Sequence, residues 1–293
     1  DYTVRLKEGT MTLQKAKLNV TINNPENAVY DGLGHGTTYE HDGLVDDDLE
    51  FTPVYYDAKS GTDVGGEPKN AGTYYVIYRL TGGADAENYT LVTNDGNGVK
   101  GDNYVISPKP ISGAEWKGLT VTYGDETDGA SLDYTDKVTG DALGFTYMYS
   151  GTPNAGGSHN GEDAPLLAGT YTVTATLHNN NYILTGESAD GITISATYTV
   201  NRAKLTLTPK TASVDYGTEK TDITWNGFDF STLAWEDDID VVLSGYTLDY
   251  TAQGYEAGSH VGNYTIVMRV LLGEVPQTEL ANYTLDIQPL PEG

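Results

Sequence analysis

Three stretches of this chain repeat one strand pattern at a domain-sized spacing. They open at Gly72-Thr73-Tyr74, Gly169-Thr170-Tyr171 and Gly262-Asn263-Tyr264, so the copies lie 97 and 93 residues apart. One set of alternate side chains is apolar in each: Tyr74/Val76/Tyr78/Leu80, Tyr171/Val173/Ala175/Leu177 and Tyr264/Ile266/Met268/Val270. In the second copy the opposite set is all threonine, at 170, 172, 174 and 176. Period-two alternation sends one row into a core and the other toward water. A chain that does this three times is built for small repeated β units, not for one large core.

Four more landmarks recur in the same order around these strands. Each unit opens on a basic strand, at Lys15-Ala16-Lys17-Leu18, Lys109-Pro110-Ile111 and Arg202-Ala203-Lys204-Leu205. A glycine turn follows, at Tyr30-Asp31-Gly32, Tyr123-Gly124-Asp125 and Tyr216-Gly217-Thr218, its tyrosines 93 residues apart both times. Gly and Asp there mark a tight turn, and strands are expected after it at 36–40, 132–135 and 223–227. An acidic bend comes next: Asp46-Asp47-Asp48, Gly140-Asp141 and Glu236-Asp237-Asp238. An Asp before a short apolar step can cap one helical turn. A further alternating strand (51–56, 145–149, 246–250) precedes the Gly-Thr-Tyr strand. After it come Asn88-Tyr89-Thr90-Leu91, Asn181-Tyr182-Ile183-Leu184 and Asn282-Tyr283-Thr284-Leu285.

This order sets the expected boundaries. Residues 1–14, with Asp1-Tyr2-Thr3-Val4 matching the Asn-Tyr strands, are the terminal hairpin of a preceding truncated module. Modules follow at 15–108, 109–201 and 202–293. No Gly/Ser-rich hinge separates them, which favours a stiff array over flexibly linked beads. Many short strands between turn signals point to a mainly β fold: three tandem small β-sandwich (Ig-like) modules in an elongated array. The alternative is β-grasp-like modules, each with one short helical turn. Helical crossovers for parallel βαβ units have no room.

Tyrosine suits such thin cores, because its ring is apolar and its tip polar; there are 23 Tyr against 4 Phe and 3 Trp. A net charge of −26 argues against nucleic-acid binding and against docking on anionic lipid. No cysteine is present, so disulfides and thiol chemistry are excluded. No run of about 18 apolar residues exists that could span a membrane as a helix. No signal peptide stands at the start, and the abrupt opening reads as a piece excised from something longer. A monomer whose partners are neighbouring modules of the same longer chain is the expectation.

Together the landmarks resemble the MBG/YDG-type repeat modules of large bacterial extracellular, adhesin-like surface proteins. Modules one and two carry all five; module three departs at Thr218, at Glu236-Asp237-Asp238 and in a closing strand cut off after Gln288. The resemblance covers essentially the whole chain. It implies tandem extracellular modules and no catalysis.

Candidate sites are few. Asp46, Asp47 and Asp48, or Glu236, Asp237, Asp238 and Asp240, supply oxygen ligands of the kind calcium needs. None fits the spaced calcium loop, and Asn94-Asp95-Gly96-Asn97-Gly98 lacks its closing Glu. Solvated turns and helix caps are the plainer account. Lys17, Lys109 and Lys204 recur near module starts and could form the lysine–asparagine isopeptide cross-links that some surface stalks carry, given a nearby Asn and acidic residue, although pairing with carboxylates is simpler. Trp116 and Trp235 lie off the clear strands and could stack on a host glycan, as could Trp225. Hydrolytic machinery has no support: there is no Cys and no Gly-x-Ser-x-Gly elbow, and His35, His41, His159, His178 and His260 do not recur at equivalent positions. The reading is a non-catalytic spacer or stalk at a bacterial surface; the alternative is an adhesive module binding host glycan or protein.

Overall fold

The alternation in the Gly-Thr-Tyr strands is the alternation of the core. In a computed structural model, which describes residues 1–44, 47–96, 98–185 and 190–289, the chain is mainly β. Tyr74, Val76 and Tyr78 are buried in the strand Gly72–Gly82, and Tyr171, Val173, Ala175 and Leu177 in Gly169–Leu177. The third copy is shorter. Its strand begins at Ile266, four residues after the glycine, with Ile266, Met268 and Val270 buried. Each tyrosine of the motif donates its hydroxyl to the carbonyl four residues earlier: Tyr74 to Asn70 at 3.0 Å, Tyr171 to Leu167 at 2.7 Å and Tyr264 to His260 at 2.7 Å. The polar tip is thereby satisfied by the turn that leads into the strand.

The chain forms two compact units. The first comprises Asp1–Gly113, Tyr134–Gly144 and Leu177–Ile192. In it Gly72–Gly82 pairs antiparallel with Glu50–Asp57 on one edge and with Val99–Lys100 and Tyr104–Ile106 on the other. Val20–Asn23 pairs antiparallel with Thr38–His41. Ala16–Leu18 lies parallel to Tyr89–Leu91, and Lys109–Ile111 parallel to Tyr182–Leu184.

The second unit comprises Ala114–Asp133, Phe145–Thr176 and Thr193–Gly293. Its largest sheet runs in the order Thr120–Thr122, Thr193–Asn201, Gly169–Leu177, Phe145–Pro153, His159–Gly161. Ala203–Pro209 pairs parallel with Tyr283–Ile287 and antiparallel with Phe228–Phe230. Ile266–Leu272 pairs with Thr247–Ala252 and Val275–Pro276. One continuous core joins Tyr171, Val173 and Tyr198 to Leu205, Met268 and Tyr283.

The sheets include parallel pairs without the βαβ crossovers that have no room here: each basic opening strand lies parallel to the Asn-Tyr strand of its own repeat. No crossover helix is needed, because nearly the whole repeat serves as the connection. Three sequence expectations need correction. Residues 109–201 are not one body: 134–144 and 177–192 belong to the first unit and the remainder almost wholly to the second. Residues 1–14 form no hairpin; they carry no strand, and Tyr2, Val4, Leu6, Met11 and Leu13 are exposed. A two-stranded ribbon is marginal in water without a sheet to add to. Residues 223–227 likewise hold no strand, which comes instead at Phe228–Phe230. A helical turn follows the bend only in the third repeat among the described residues, at Ile239–Val242. There Asp238 accepts from Asp240 N at 2.9 Å, the cap that the acidic bend suggests.

Candidate functional site

Two of the three recurrent turn tyrosines, Tyr30 and Tyr123, meet an acidic bend and an Asn-Tyr strand of the next repeat. In the first unit, Tyr30 of repeat one and Tyr182 of repeat two both donate to Oδ2 of Asp141, each at 2.6 Å. Their rings meet edge to face, 5.4 Å apart at 76°. In the second unit the arrangement recurs one repeat later. Tyr123 and Tyr283 donate to Oδ2 of Asp237 at 2.9 and 2.7 Å, with rings 5.5 Å apart at 81°.

The backbone around each carboxylate is repeated as well. Tyr182 OH accepts from Val138 N at 2.9 Å, and Tyr283 OH accepts from Ala234 N at 2.9 Å. Asp141 N and Asp237 N close the bend onto the carbonyls of those same residues. The Asn before each strand reaches back one repeat: Asn181 Oδ1 accepts from Ala71 N at 2.8 Å, and Asn282 Oδ1 from Ala168 N at 3.1 Å. The turn glycine makes the close approach possible. Gly124 has φ +94°, and a Cβ on it would stand 2.5 Å from Cβ of Ala234. Gly32, at φ +81°, faces Val138 in the same way. Only a residue without a side chain fits such a backbone at such a distance.

Two hydroxyls on one carboxylate oxygen are charge-assisted bonds, about twice as strong as neutral ones. They also set the protonation states. Hydrogen bonds from Tyr182 and then Tyr30 hold the Asp141 carboxyl below its usual range. The hydrogen bond to it, then burial and its charge, push the Tyr30 phenol up. Burial first, then the bond to Asp141, takes Tyr182 up to about 12. Burial and the bond to Asp237 do the same for Tyr123, also to about 12. At Asp141 the clasp is a carboxylate held between the Tyr30 and Tyr182 phenols.

Half-clasps stand at either side of these two. Tyr89 donates to Oδ2 of Asp47 and accepts from Leu44 N at 3.1 Å, the geometry of Tyr182 and Tyr283. No described tyrosine from an earlier repeat joins them, and Leu44, in the place of Val138 and Ala234, is exposed. At the other side Tyr216, equivalent to the buried Tyr30 and Tyr123, is 74% exposed. Val261, equivalent to Ala71 and Ala168, is 93% exposed. Nothing lies within 4 Å of where a Cβ on Gly217 would stand. Beside Tyr216 is a cavity of about 380 Å³, lined by residues 211–217, 259–264 and 266 together with Trp225 and Tyr255.

The sequence candidates fall into these arrangements unevenly. Asp47 and Asp237 are clasp carboxylates; Asp48 accepts from Ala84 N at 3.1 Å, and Asp238 caps its helical turn. Asp46 lies outside the described residues. Glu236 stands at φ +75° on the exposed bend. Among the described residues no group of three or more His, Cys, Asp or Glu is arranged to hold a metal ion. Lys204 pairs with Asp286 at 2.6 Å. Trp116 is half-buried against Tyr147, its Nε1 buried without a partner, so it is not the exposed platform that its position suggested. Trp235 is exposed on one face and packs on the Tyr123 ring at 5.1 Å, covering the second clasp. Trp225, stacked on Tyr250 at 5.6 Å, lines the cavity beside Tyr216.

Sequence reasoning found every clasp member as a landmark but did not join them across repeats. The available signal was the common order of the tyrosine, aspartate and Asn-Tyr motifs in each repeat. The chain matches no protein-family model and none of the curated proteins compared with it.

Proposed function

We propose that this chain is a non-catalytic spacer region of a bacterial cell-surface or secreted protein, built from Ig-like repeats of the MBG/YDG type. The observation that carries this reading is the recurrence of one part-buried Tyr-Asp-Tyr clasp at two successive repeat junctions. A clasp that consumes its carboxylate and both phenols in holding neighbours together is suited to bearing load. Connections between repeats are correspondingly short: a single residue, Arg202, separates Thr193–Asn201 from Ala203–Pro209. Among the described residues no helix is long and apolar enough to cross a membrane. Charge of −26 adds solubility and self-repulsion.

Small-angle X-ray scattering tests the spacer reading. Locked serial repeats give an elongated particle whose maximum dimension is insensitive to ionic strength. A compact particle, or one that shortens steeply with added salt, overturns it.

A further inference from the structure

We infer that Asn226 and Gly227 form a self-modifying site, at which water exchanges the asparagine amide for a carboxylate and so unlatches the loop 211–226 at its base. The inference stands on side-chain chemistry and loop geometry and does not rest on the spacer reading.

An asparagine followed by glycine can close on itself. The glycine nitrogen attacks the asparagine side-chain carbonyl carbon and a C–N bond forms. The side-chain amide leaves as ammonia, carrying away the proton of the glycine N–H. Water then opens the five-membered imide at one carbonyl or the other, giving aspartate or its β-linked isomer. One water is consumed and one ammonia released, with no oxidant, metal or cofactor. Glycine suits the step because no side chain crowds the attack.

Three Asn-Gly steps occur in the chain, at 97–98, 160–161 and 226–227. Asn97 lies outside the described residues. Asn160 and Gly161 are held in the strand His159–Gly161, which pairs antiparallel with Tyr149–Gly151. Ring closure swings the glycine nitrogen onto the asparagine side chain, out of the extended backbone of a strand. That pairing must therefore break before Asn160 reacts. Asn226 is exposed and lies in the stretch 223–227, which holds no strand. Gly227 stands at φ +79°, with nothing within 4 Å of where a Cβ would be. Among the described residues its N–H donates no hydrogen bond. The nucleophile is uncommitted and the space beside it is open.

What the amide holds now fixes the consequence of losing it. Asn226 Nδ2 donates to Thr211 O at 2.6 Å, and Lys210 N donates to Gly227 O at 2.9 Å. These bonds close the loop next to the pairing of Pro209 with Phe228. The loop carries the turn tyrosine Tyr216 and Trp225, whose ring stacks on Tyr250. A carboxylate cannot donate, so at position 226 its oxygen would face the Thr211 carbonyl oxygen, and a latch becomes a repulsion. The β-linked product also lengthens the backbone by one carbon, which shifts Gly227 O away from Lys210 N.

The test is peptide mass spectrometry of the folded chain, held at mildly alkaline pH in water enriched in heavy oxygen, which labels each carboxylate as it forms. The peptide containing Asn226 should take up label at least about tenfold faster than the one containing Asn160, and should resolve into aspartate and isoaspartate forms. In urea, where neither step is held by structure, the two rates should come together. Asn226→Gln, whose longer side chain must close a larger ring, should leave position 226 unlabelled. Asn226→Asp installs the product directly; it should keep the parent circular dichroism while the Lys210 amide exchanges with deuterium at least about tenfold faster. Absence of label at Asn226, or equal folded-state rates at Asn160 and Asn226, overturns the site. An Asn226→Asp chain whose Lys210 amide exchanges as in the parent overturns the unlatching.

Discussion

Tyr123 and Tyr216 occupy the same position in successive repeats, one inside a clasp and one outside, so Phe at each isolates what the clasp contributes. Tyr123→Phe keeps the ring, and with it the edge-to-face contact with Tyr283 and the packing of Trp235. What is lost is one hydrogen bond of 2.9 Å to a carboxylate. Bonds to charged groups contribute about 1.5–3 kcal/mol. The lower end applies, because Asp237 retains the Tyr283 hydroxyl at 2.7 Å and is not left bare. At about 2–4 °C per kcal/mol, the transition of the unit holding Tyr123 should fall by about 3–6 °C. Tyr216→Phe should cost no more than about 0.5 kcal/mol, as an exposed substitution does. Thermal melts compare the two, and a cycle with Asp237→Ala gives the coupling, expected at about 1–3 kcal/mol. Equal costs at the two positions, or zero coupling, would refute the clasp as a source of stability.

The clasps also set a pH response. The Asp141 carboxyl is depressed when folded, so its contribution is present above its unfolded pKa of about 3.9 and lost as pH falls through the lower folded value. Tyr123 and Tyr182, raised to about 12, contribute below about pH 10 and lose that contribution as pH rises through about 12. Melting temperatures of wild type and Asp141→Asn should converge in acid; parallel curves would count against the assignment. Gly124→Ala should destabilise by at least about 1 kcal/mol more than Gly217→Ala. Both strain a positive φ, but only the first meets a neighbour, at 2.5 Å; equal denaturation midpoints would contradict the packing. Tyr171→Ala, at a nearly fully buried position, should cost about 3–5 kcal/mol in urea unfolding.

The amino-acid order by itself determined the local alphabet of this fold. Period-two rows at 72–80 and 169–177 set which tyrosines face the core, because a strand offers only two faces, whereas Tyr264 of the third row precedes its strand and is half-buried. Gly-Asp spacing located the turns, and Asp238 located a helical cap. Tertiary structure decided which strands became neighbours. The parallel pairing of Lys109–Ile111 with Tyr182–Leu184 joins residues more than seventy positions apart, and no local propensity encodes such a partner. The clasps were invisible for the same reason: Tyr30 and Asp141 are each ordinary turn residues until the backbone of the next repeat brings them within 2.6 Å. The fate of otherwise equivalent residues also depended on context. Leu13 and Ile106 hold the same place in the repeat, yet one is exposed and the other buried, because an alternating strand is a core element only where a sheet edge is present to receive it.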